Sequence, residues 1–213
     1  MELLELHRQI LGCRRCQVAG FLSHAAPVLP DAHRARVLLV GQAPGRVEEG
    51  VGRPFSGRAG RELFRWLERA GLGDEEQARR AVYLTSITKC FPGPARAGSG
   101  DRRPTPSEVD LCRDHLDRQL ALIRPRLVLT VGQLAQDRFL GRIPLDLAVG
   151  RLFGPGPEEV DPARARPGRR GPLVLPLPHP SGASRWLNQL EHRALLGRAL
   201  ELLRELLRAS SGR

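Results

Sequence analysis

The sequence predicts an α/β fold of three layers, in which helices cover both faces of a central, mostly parallel four-stranded sheet. Four short apolar runs support this prediction, because strands buried on both faces are almost continuously apolar rather than alternating. Segments with helical spacing lie between the runs, and such alternation is typical of parallel sheets with helices on both faces. Ligands of these folds bind at the carboxyl ends of the strands, so we expect the functional site in the loops that follow them.

The first half of the chain supplies two of the strands. Residues 1–12 have the pattern of a short amphipathic helix. The apolar run RVLLVG at 36–41 is predicted to be the first strand, and a loop rich in glycine and proline, QAPGRVEEGVGRPFSG, follows it. A helix over 57–70 and a second strand over 81–87 complete this half.

The second half supplies the other two strands. The composition of residues 92–104 indicates a flexible loop, after which Thr105 and Pro106 are a suitable cap and first residue for a helix that runs to about residue 123. Pro176 suggests the end of the last strand, because proline has no N–H to donate. The remaining predicted elements are strands over 127–132 and 173–177, a helix over 133–140, a loop over 154–171 and a final helix over 189–209.

Length and charge limit the classes of function. A chain of 213 residues predicts one domain over 1–213. There is no apolar run long enough to span a membrane and no signal-peptide pattern at the N-terminus, so we expect a cytoplasmic protein. The formal charge is +11, from 34 basic and 23 acidic residues. Lys89 is the only lysine, which suits GC-rich coding, but coding does not explain the excess of bases; we therefore expect a polyanionic partner such as nucleic acid.

The four cysteines are candidate metal ligands. Cys13 and Cys16 form a C-x-x-C among polar residues, and Cys90 and Cys112 follow much later in the chain. Cytosolic thiols rarely form structural disulfides, whereas four thiolates suit either zinc or an iron–sulfur cluster. Spacing alone favours zinc, although the long gap after Cys16 is unlike that of a compact zinc ribbon.

Two predicted strand ends carry unusual sequences. The loop GQAPG at 41–45 allows close backbone approach to a ligand, but it matches neither the phosphate-binding nor the dinucleotide-binding glycine motif. A nucleotide hydrolase is therefore disfavoured. The last strand ends at His179, which a tight turn of small residues follows, and this position makes His179 a candidate active-site residue.

Six motifs follow one another along the chain: C-x-x-C at 13–16, GQAPG at 41–45, GRPFSGRAG at 52–60, VYLTSITKC at 82–90, TPSEVDLC at 105–112 and HPSG at 179–182. In this order they resemble the uracil-DNA glycosylase superfamily, closest to its iron–sulfur family-four branch. The resemblance runs from Cys13 to about Arg198. It implies a DNA-repair enzyme that flips a deaminated base out of DNA and hydrolyses its N-glycosidic bond, which leaves an abasic site.

The resemblance also implies which residues act. The four cysteines would bind a [4Fe–4S] cluster with a structural role. His179 would donate a hydrogen bond to the base oxygen on which negative charge develops, Phe55 would stack on the base, and Gln42 would act on the water. The implied base-binding residues are Gly41, Gln42, Ala43, Phe55, Ser86 and His179.

Two departures from the family's motifs bear on mechanism. The family commonly has Glu at the position of Gln42, and a neutral amide cannot take a proton from water, so we expect Gln42 to position the water instead. Related sequences commonly have Asn at the position of Ser86, where its amide selects uracil. Serine has one hydroxyl and a shorter reach. We therefore expect Ser86 to line a pocket that accepts uracil and, with relaxed specificity, hypoxanthine or xanthine.

DNA contacts are expected around the turn after the last strand, from a chain that we expect to be a monomer associated with the nucleoid. Arg185 is predicted either to fill the gap left by the flipped base or to contact a phosphate, and arginines in 96–103 and 164–170 either contact phosphates or are only solvated. The loop 91–111 has no histidine, so the covalent attachment to DNA used by a sister branch is disfavoured. The predicted DNA-binding residues are Pro44, Ser181, Gly182, Ser184 and Arg185.

Two other hypotheses come from different classes of protein. The chain could be a DNA-binding protein that keeps the fold and has lost catalysis, for which Gln42 and Ser86 are the reason. It could also be an interaction module that depends on zinc or on an iron–sulfur cluster. Formation of an abasic product that depends on His179 distinguishes the enzyme from both.

Overall fold

A central four-stranded sheet organises the computed structural model, which describes residues 2–95, 100–165, 171–181 and 185–211. The strands lie in the order β2-β1-β3-β4, and every neighbouring pair is parallel. All strand residues are buried, as expected for strands that are covered on both faces. The predicted fold class is confirmed. The strands are β1 (Val37–Gly41), β2 (Val82–Ser86), β3 (Leu127–Val131) and β4 (Leu173–Leu177).

Helices connect the strands and precede or follow the sheet. Those before β2 are α1 (Leu3–Leu11), α2 (Arg15–Val18), α3 (Arg46–Val51), α4 (Arg58–Leu67), a π-helical turn (Glu68–Leu72) and α5 (Glu75–Ala81). Those after β2 are α6 (Pro106–Ile123), α7 (Gln133–Leu140), α8 (Leu145–Ala148), a 3-10 turn (Arg185–Asn188) and α9 (Leu190–Ser211). No helix in these described ranges is both long enough and apolar enough to cross a membrane.

The sheet separates two hydrophobic clusters. Successive side chains of a strand point to opposite faces, so Leu39 and Leu38 of β1 enter different clusters. The Leu39 face packs against α4, α5 and α9, and the Leu38 face packs against α6 and α7. A further small cluster includes Leu6 and Ile10 of α1, with Leu122 of α6 packed against it. These contacts produce the three predicted layers and hold α1 next to α6.

The start of α6 agrees with its prediction from sequence. Thr105 is the N-cap, with its hydroxyl accepting the N–H of Glu108 at 3.3 Å while the Glu108 carboxylate accepts the N–H of Thr105 at 2.8 Å. This reciprocal pair satisfies two backbone donors that a helix start leaves free. Arg102 donates two 2.7 Å hydrogen bonds to Glu108. The guanidinium of Arg102 is therefore part of an internal ion pair.

The loop after β1 differs from the sequence prediction, whereas the last strand agrees with it. The loop after β1 contains α3, because Glu48 lies three residues after Gly45 and accepts its N–H at 3.0 Å, which caps a short helix. The last strand, β4, has the predicted bounds, and Pro176 is its last residue but one. The N–H of Val174, two residues earlier, points to Phe153 at the outer edge of the sheet, so the N atom of Pro176 also points away from β3. The proline therefore removes no hydrogen bond between β3 and β4.

Candidate active site

A cavity of about 640 Å³ lies at the carboxyl ends of the strands. Its position agrees with the rule that parallel α/β sheets bind ligands at this edge. The sequence-predicted residues in its lining are Gly41, Gln42, Ala43, Pro44, Phe55, Ser86 and His179. The structure therefore brings together every predicted base-binding residue, although their roles stay predictions. Glu48 and Asp101 also line the cavity, and no motif pointed to them.

The loop after β1 forms one wall and is fastened to the end of β2. The carbonyls of Gly41 and Gln42 accept the N–H groups of Ile87 and Thr88 at 2.9 and 3.2 Å. A Cβ on Gly41 would lie 2.8 Å from Cζ of Phe55, closer than two carbons can approach. Gly41 thus allows the aromatic ring to pack directly on the backbone of this loop.

Phe55 is held in an unusual conformation by its neighbours. Its φ of 54° is in the left-handed region, which is strained for an aromatic residue. The buried guanidinium of Arg79 donates to the carbonyls of Pro54 and Phe55 at 2.8 and 3.2 Å. A Cβ on Gly60 would lie only 1.9 Å from the Phe55 carbonyl oxygen, so only glycine fits there. Sequence reasoning missed Arg79, because an arginine near the end of a helix carries no signal of this contact.

His179 follows β4, and its hydrogen bonds determine which ring nitrogen carries the proton. The backbone N–H of Ser181 donates to Nδ1 at 3.2 Å, and the Ser181 hydroxyl lies 2.8 Å from the same atom. Since a backbone N–H can only donate, Nδ1 is the acceptor and the proton lies on Nε2. Burial, and secondarily the charge of Arg103, lower the pKa of His179 and favour the neutral ring. His179 can thus offer Nε2–H as a donor.

Gln42 is half-buried and contacts an arginine from the 92–104 loop. The Nε of Arg103 donates to Oε1 of Gln42 at 3.3 Å. This hydrogen bond orients the amide so that its oxygen faces Arg103. Of the two arginines predicted for phosphate contact in this part of the loop, Arg103 contacts Gln42 of the cavity lining, whereas Arg102 is engaged with Glu108.

Ser86 is buried at the end of β2, and its hydroxyl proton is already used. Its Oγ donates to the carbonyl of Thr88 at 2.7 Å. A hydroxyl has one proton to donate, so Ser86 can offer the cavity only an acceptor lone pair. The sequence left both roles open for this residue.

Lys89 lies just beyond Ser86 and is fully buried. Its Nζ donates to Oγ1 of Thr85 at 3.0 Å and to the carbonyl of Ser86, while its backbone N–H donates to Sγ of Cys112 at 3.3 Å. Burial lowers the pKa of Lys89 to about 8. This residue connects the wall of the active-site cavity to the four cysteines, and the sequence marked it only as the single lysine of the chain.

The four cysteines line a second cavity, with an empty volume of about 430 Å³. Cys13 and Cys16 approach from the N-terminal segment, Cys90 from the loop after β2 and Cys112 from α6. Among the residues that the structure describes, no group of three or more His, Cys, Asp or Glu side chains is placed to hold a metal ion. The structure nevertheless shows that the four cysteines, which come from three separate segments of the chain, gather around one cavity.

The structure describes three of the five predicted DNA-binding residues. Pro44 is buried in the cavity wall, Ser181 is hydrogen-bonded to His179, and Arg185 is exposed at the start of the 3-10 turn. Trp186 stacks on His192 at 4.1 Å and packs against the hydrophobic core. Gly182 and Ser184 lie outside the described residues, as do 96–99 and 166–170 of the arginine-rich loops.

The fold and the cavity together define a class of protein: a parallel α/β protein with a cavity at the carboxyl ends of its strands, lined by an aromatic side chain and a neutral histidine. The family model described as the uracil DNA glycosylase superfamily matches residues 27–204. The chain belongs to this superfamily and is a hydrolase of the glycosylase type.

Similar proteins agree with this assignment. The type-4 uracil-DNA glycosylase of Archaeoglobus fulgidus is 38% identical over 156 residues, which is 72% of both chains. The type-4 enzyme of Sulfurisphaera tokodaii is 33% identical over 134 residues, 62% of this chain and 56% of the relative. That of Thermotoga maritima is 34% identical over 141 residues, 65% of this chain and 67% of the relative. The predicted resemblance to the family-four branch is confirmed, and the matched segments span just over half to about three-quarters of these relatives.

Proposed function

We propose that this protein removes uracil from DNA by hydrolysing the N-glycosidic bond. The observation that carries the proposal is the neutral His179, which offers an Nε2–H donor in a cavity that Phe55 also lines. As the bond between the sugar carbon and the base nitrogen breaks, its electron pair leaves with the base. A donor aimed at the base oxygen stabilises the negative charge that develops there. The names of the similar proteins support uracil in DNA as the substrate.

The other side chains have distinct tasks in this reaction. Phe55 would stack on the flipped base, and this role is supported by Arg79 and Gly60, which fix its backbone near the loop after β1. Gln42 is held by Arg103 and acts on the position of the attacking water, in line with its neutral amide. No residue has to form a covalent intermediate, because water attacks the positively charged sugar directly.

The direction of the Ser86 hydroxyl supports a range of bases wider than uracil. Uracil has N3–H where cytosine has a bare nitrogen, and hypoxanthine has N1–H where adenine has a bare nitrogen. A hydroxyl that can only accept pairs well with such an N–H. In cytosine or adenine it faces the lone pair of the bare ring nitrogen instead, and burying two acceptors without a donor between them costs free energy. Ser86 therefore favours a ring N–H, which uracil, hypoxanthine and xanthine share. Thymine and guanine also have this N–H, so Ser86 selects against cytosine and adenine only.

A panel of duplexes with single lesions tests this function. We expect abasic product from uracil and slower product from hypoxanthine or xanthine, with cytosine and adenine slower by roughly 100-fold or more, because their bare ring nitrogen leaves the buried acceptor unpaired. Ser86→Ala removes the acceptor and should reduce the preference for uracil over cytosine by about tenfold. Ser86→Asn is the matched variant, expected to favour uracil over hypoxanthine. Cleavage of uracil alone would contradict the wider range, and no cleavage at all would contradict the glycosylase.

We also propose that the four cysteines bind a [4Fe–4S] cluster. Burial, and the charges of neighbouring thiols, raise the pKa of Cys16 to about 11 and that of Cys90 to about 12, so these groups need a positively charged partner to ionise. Both ring nitrogens of His115 are buried against the same cavity without a hydrogen-bond partner. Four cysteine thiolates are the usual ligands of such a cluster. When bound, the cluster would join three segments of the chain.

Contact with DNA should depend on salt and on Arg185. The exposed guanidinium of Arg185 lies a few residues after His179, so Arg185→Gln is expected to reduce the slope of log affinity against log salt by about one. The control is Arg208→Gln, since its neighbours Leu207 and Ala209 line a cavity at the amino ends of the strands with Val37. Titration of a labelled duplex at several salt concentrations measures both slopes. Equal slopes for the two variants and the parent would show that Arg185 does not contact DNA.

A further inference from the structure

A carboxylate that no motif predicted reaches the active-site cavity from the 92–104 loop. Asp101 lines the cavity and forms an antiparallel bridge with Pro94. The hydrogen bonds on either side of this bridge, Ala95 N–H to Gly100 O and Arg102 N–H to Gly93 O, are both 3.0 Å long. The backbone at the base of this loop therefore places Asp101 at the cavity.

Asp101 approaches the loop after β1 beside Glu48. An oxygen of each carboxylate lies 2.7 Å from the point where a Cβ on Gly45 would stand. Glu48 is committed to the backbone, because its two oxygens accept the N–H groups of Gly45 and Gly57 at 3.0 and 2.8 Å. Asp101 accepts the backbone N–H of Arg46, which leaves acceptor capacity on its carboxylate. Burial, and then the charge of Glu48, raise the pKa of Asp101, so part of its hydration has been lost.

Gln42 cannot act as the general base of the proposed hydrolysis. Its oxygen accepts a hydrogen bond from Arg103 and belongs to a neutral amide that is too weakly basic to take up a proton, and its amide nitrogen can only donate. Neither atom can take a proton from water. The proposed hydrolysis nevertheless needs a group that accepts a proton from the attacking water and that favours positive charge on the sugar.

We propose that Asp101 is a catalytic residue that accepts the proton of the attacking water in place of a carboxylate at position 42. This inference rests on the proposed function. The bond from the sugar carbon to the base nitrogen breaks and its electron pair leaves with the base. The water oxygen bonds to the sugar carbon, and the proton it loses passes to the Asp101 carboxylate and then to solvent. The released base anion takes a proton from solvent, so the products are the free base and an abasic sugar.

The test is Asp101→Asn in single-turnover cleavage of a uracil-containing duplex. Asparagine has nearly the same shape and can still accept the N–H of Arg46, so it keeps the loop contact and loses only the charge and basicity. We expect the rate to fall about 100-fold while affinity for the duplex stays within about threefold, since general-base catalysis contributes 10² or more. Asp74→Asn is the matched control, because Asp74 also accepts a backbone N–H, from Gln77, but lies at the start of α5.

Each other result contradicts the inference in a distinct way. A rate within about threefold of the parent would show that the carboxylate takes no part in the chemical step. Rate and affinity that fall together would assign Asp101 to holding the loop. A parent protein that cleaves no lesion would overturn the proposed function itself, whereas an active parent with an equally active Asp101→Asn variant would overturn only the role of Asp101.

Discussion

Replacing His179 by alanine is expected to lower the single-turnover rate of base release by about 100- to 1,000-fold, with little change in affinity for DNA. The reason is the proton on Nε2, which the Ser181 N–H secures by occupying Nδ1. Alanine leaves the departing base without this donor, in a cavity where water is a poor substitute. The measurement is rapid-mixing cleavage of a duplex with one uracil, together with a binding titration.

Two companion variants separate this role from a packing role. His179→Gln retains an N–H donor and should recover part of the lost rate. Ser181→Ala removes the hydroxyl near Nδ1 but keeps the backbone N–H that fixes the tautomer, so its rate should fall by less than about tenfold. A His179→Ala protein that releases uracil at nearly the parental rate would show that charge on the base is stabilised elsewhere.

Replacing Cys112 by alanine is expected to remove the cluster and to lower the melting temperature by roughly 10 °C. The cysteines join the N-terminal segment, the loop after β2 and α6, so loss of the cluster frees segments that are far apart in sequence. Cross-links that close loops of this length stabilise by about 3–5 kcal/mol, and in a chain of this size each kcal/mol corresponds to about 2–4 °C. Iron content, visible absorbance and a thermal melt of the variant and the parent measure the effect.

The same measurements also distinguish a bound iron–sulfur cluster from a bound zinc ion. Parent protein with one zinc per chain and no visible absorbance would contradict the cluster. A Cys112→Ala protein that keeps the iron and the parental melting temperature would show that Cys112 is not a ligand. Removal of the metal from the parent should produce the same loss of stability as the substitution, because the bound group stabilises only the folded chain.

Most of the fold could be predicted because the signals for its strands and helices come from residues that are close together in the chain. The apolar runs of β1 and β4 and the Thr105–Pro106 start of α6 depend on neighbours within one or two turns of chain. The helix α3 was missed, because its glycine-rich surroundings hide a cap that Glu48 makes. The prediction for β4 is confirmed, with Pro176 one residue before the end of the strand, but the direction of its nitrogen depends on which edge of the sheet β4 occupies.

Most residues of the candidate site could be predicted from the sequence, but the positions of their hydrogen-bonding protons could not. Motif order indicated the loop after β1, Phe55, Ser86 and His179, and the structure places them around one cavity. The positions of Asp101 and Arg79 had no signal in the sequence. Their contacts with the residues around Gly45 and with the Phe55 carbonyl join segments that lie far apart along the chain.

The sequence by itself determined the layers, the strand ends that carry the site and the family. Tertiary structure alone decided the chemical state of the groups there: Nδ1 of His179 accepts, the Ser86 hydroxyl is turned toward Thr88, and the oxygen of Gln42 is turned toward Arg103. The physical reason is that a hydroxyl, an imidazole and an amide can each serve as donor or acceptor. Which role each takes is set by the groups that the fold brings within 3 Å or so, and a motif does not record them.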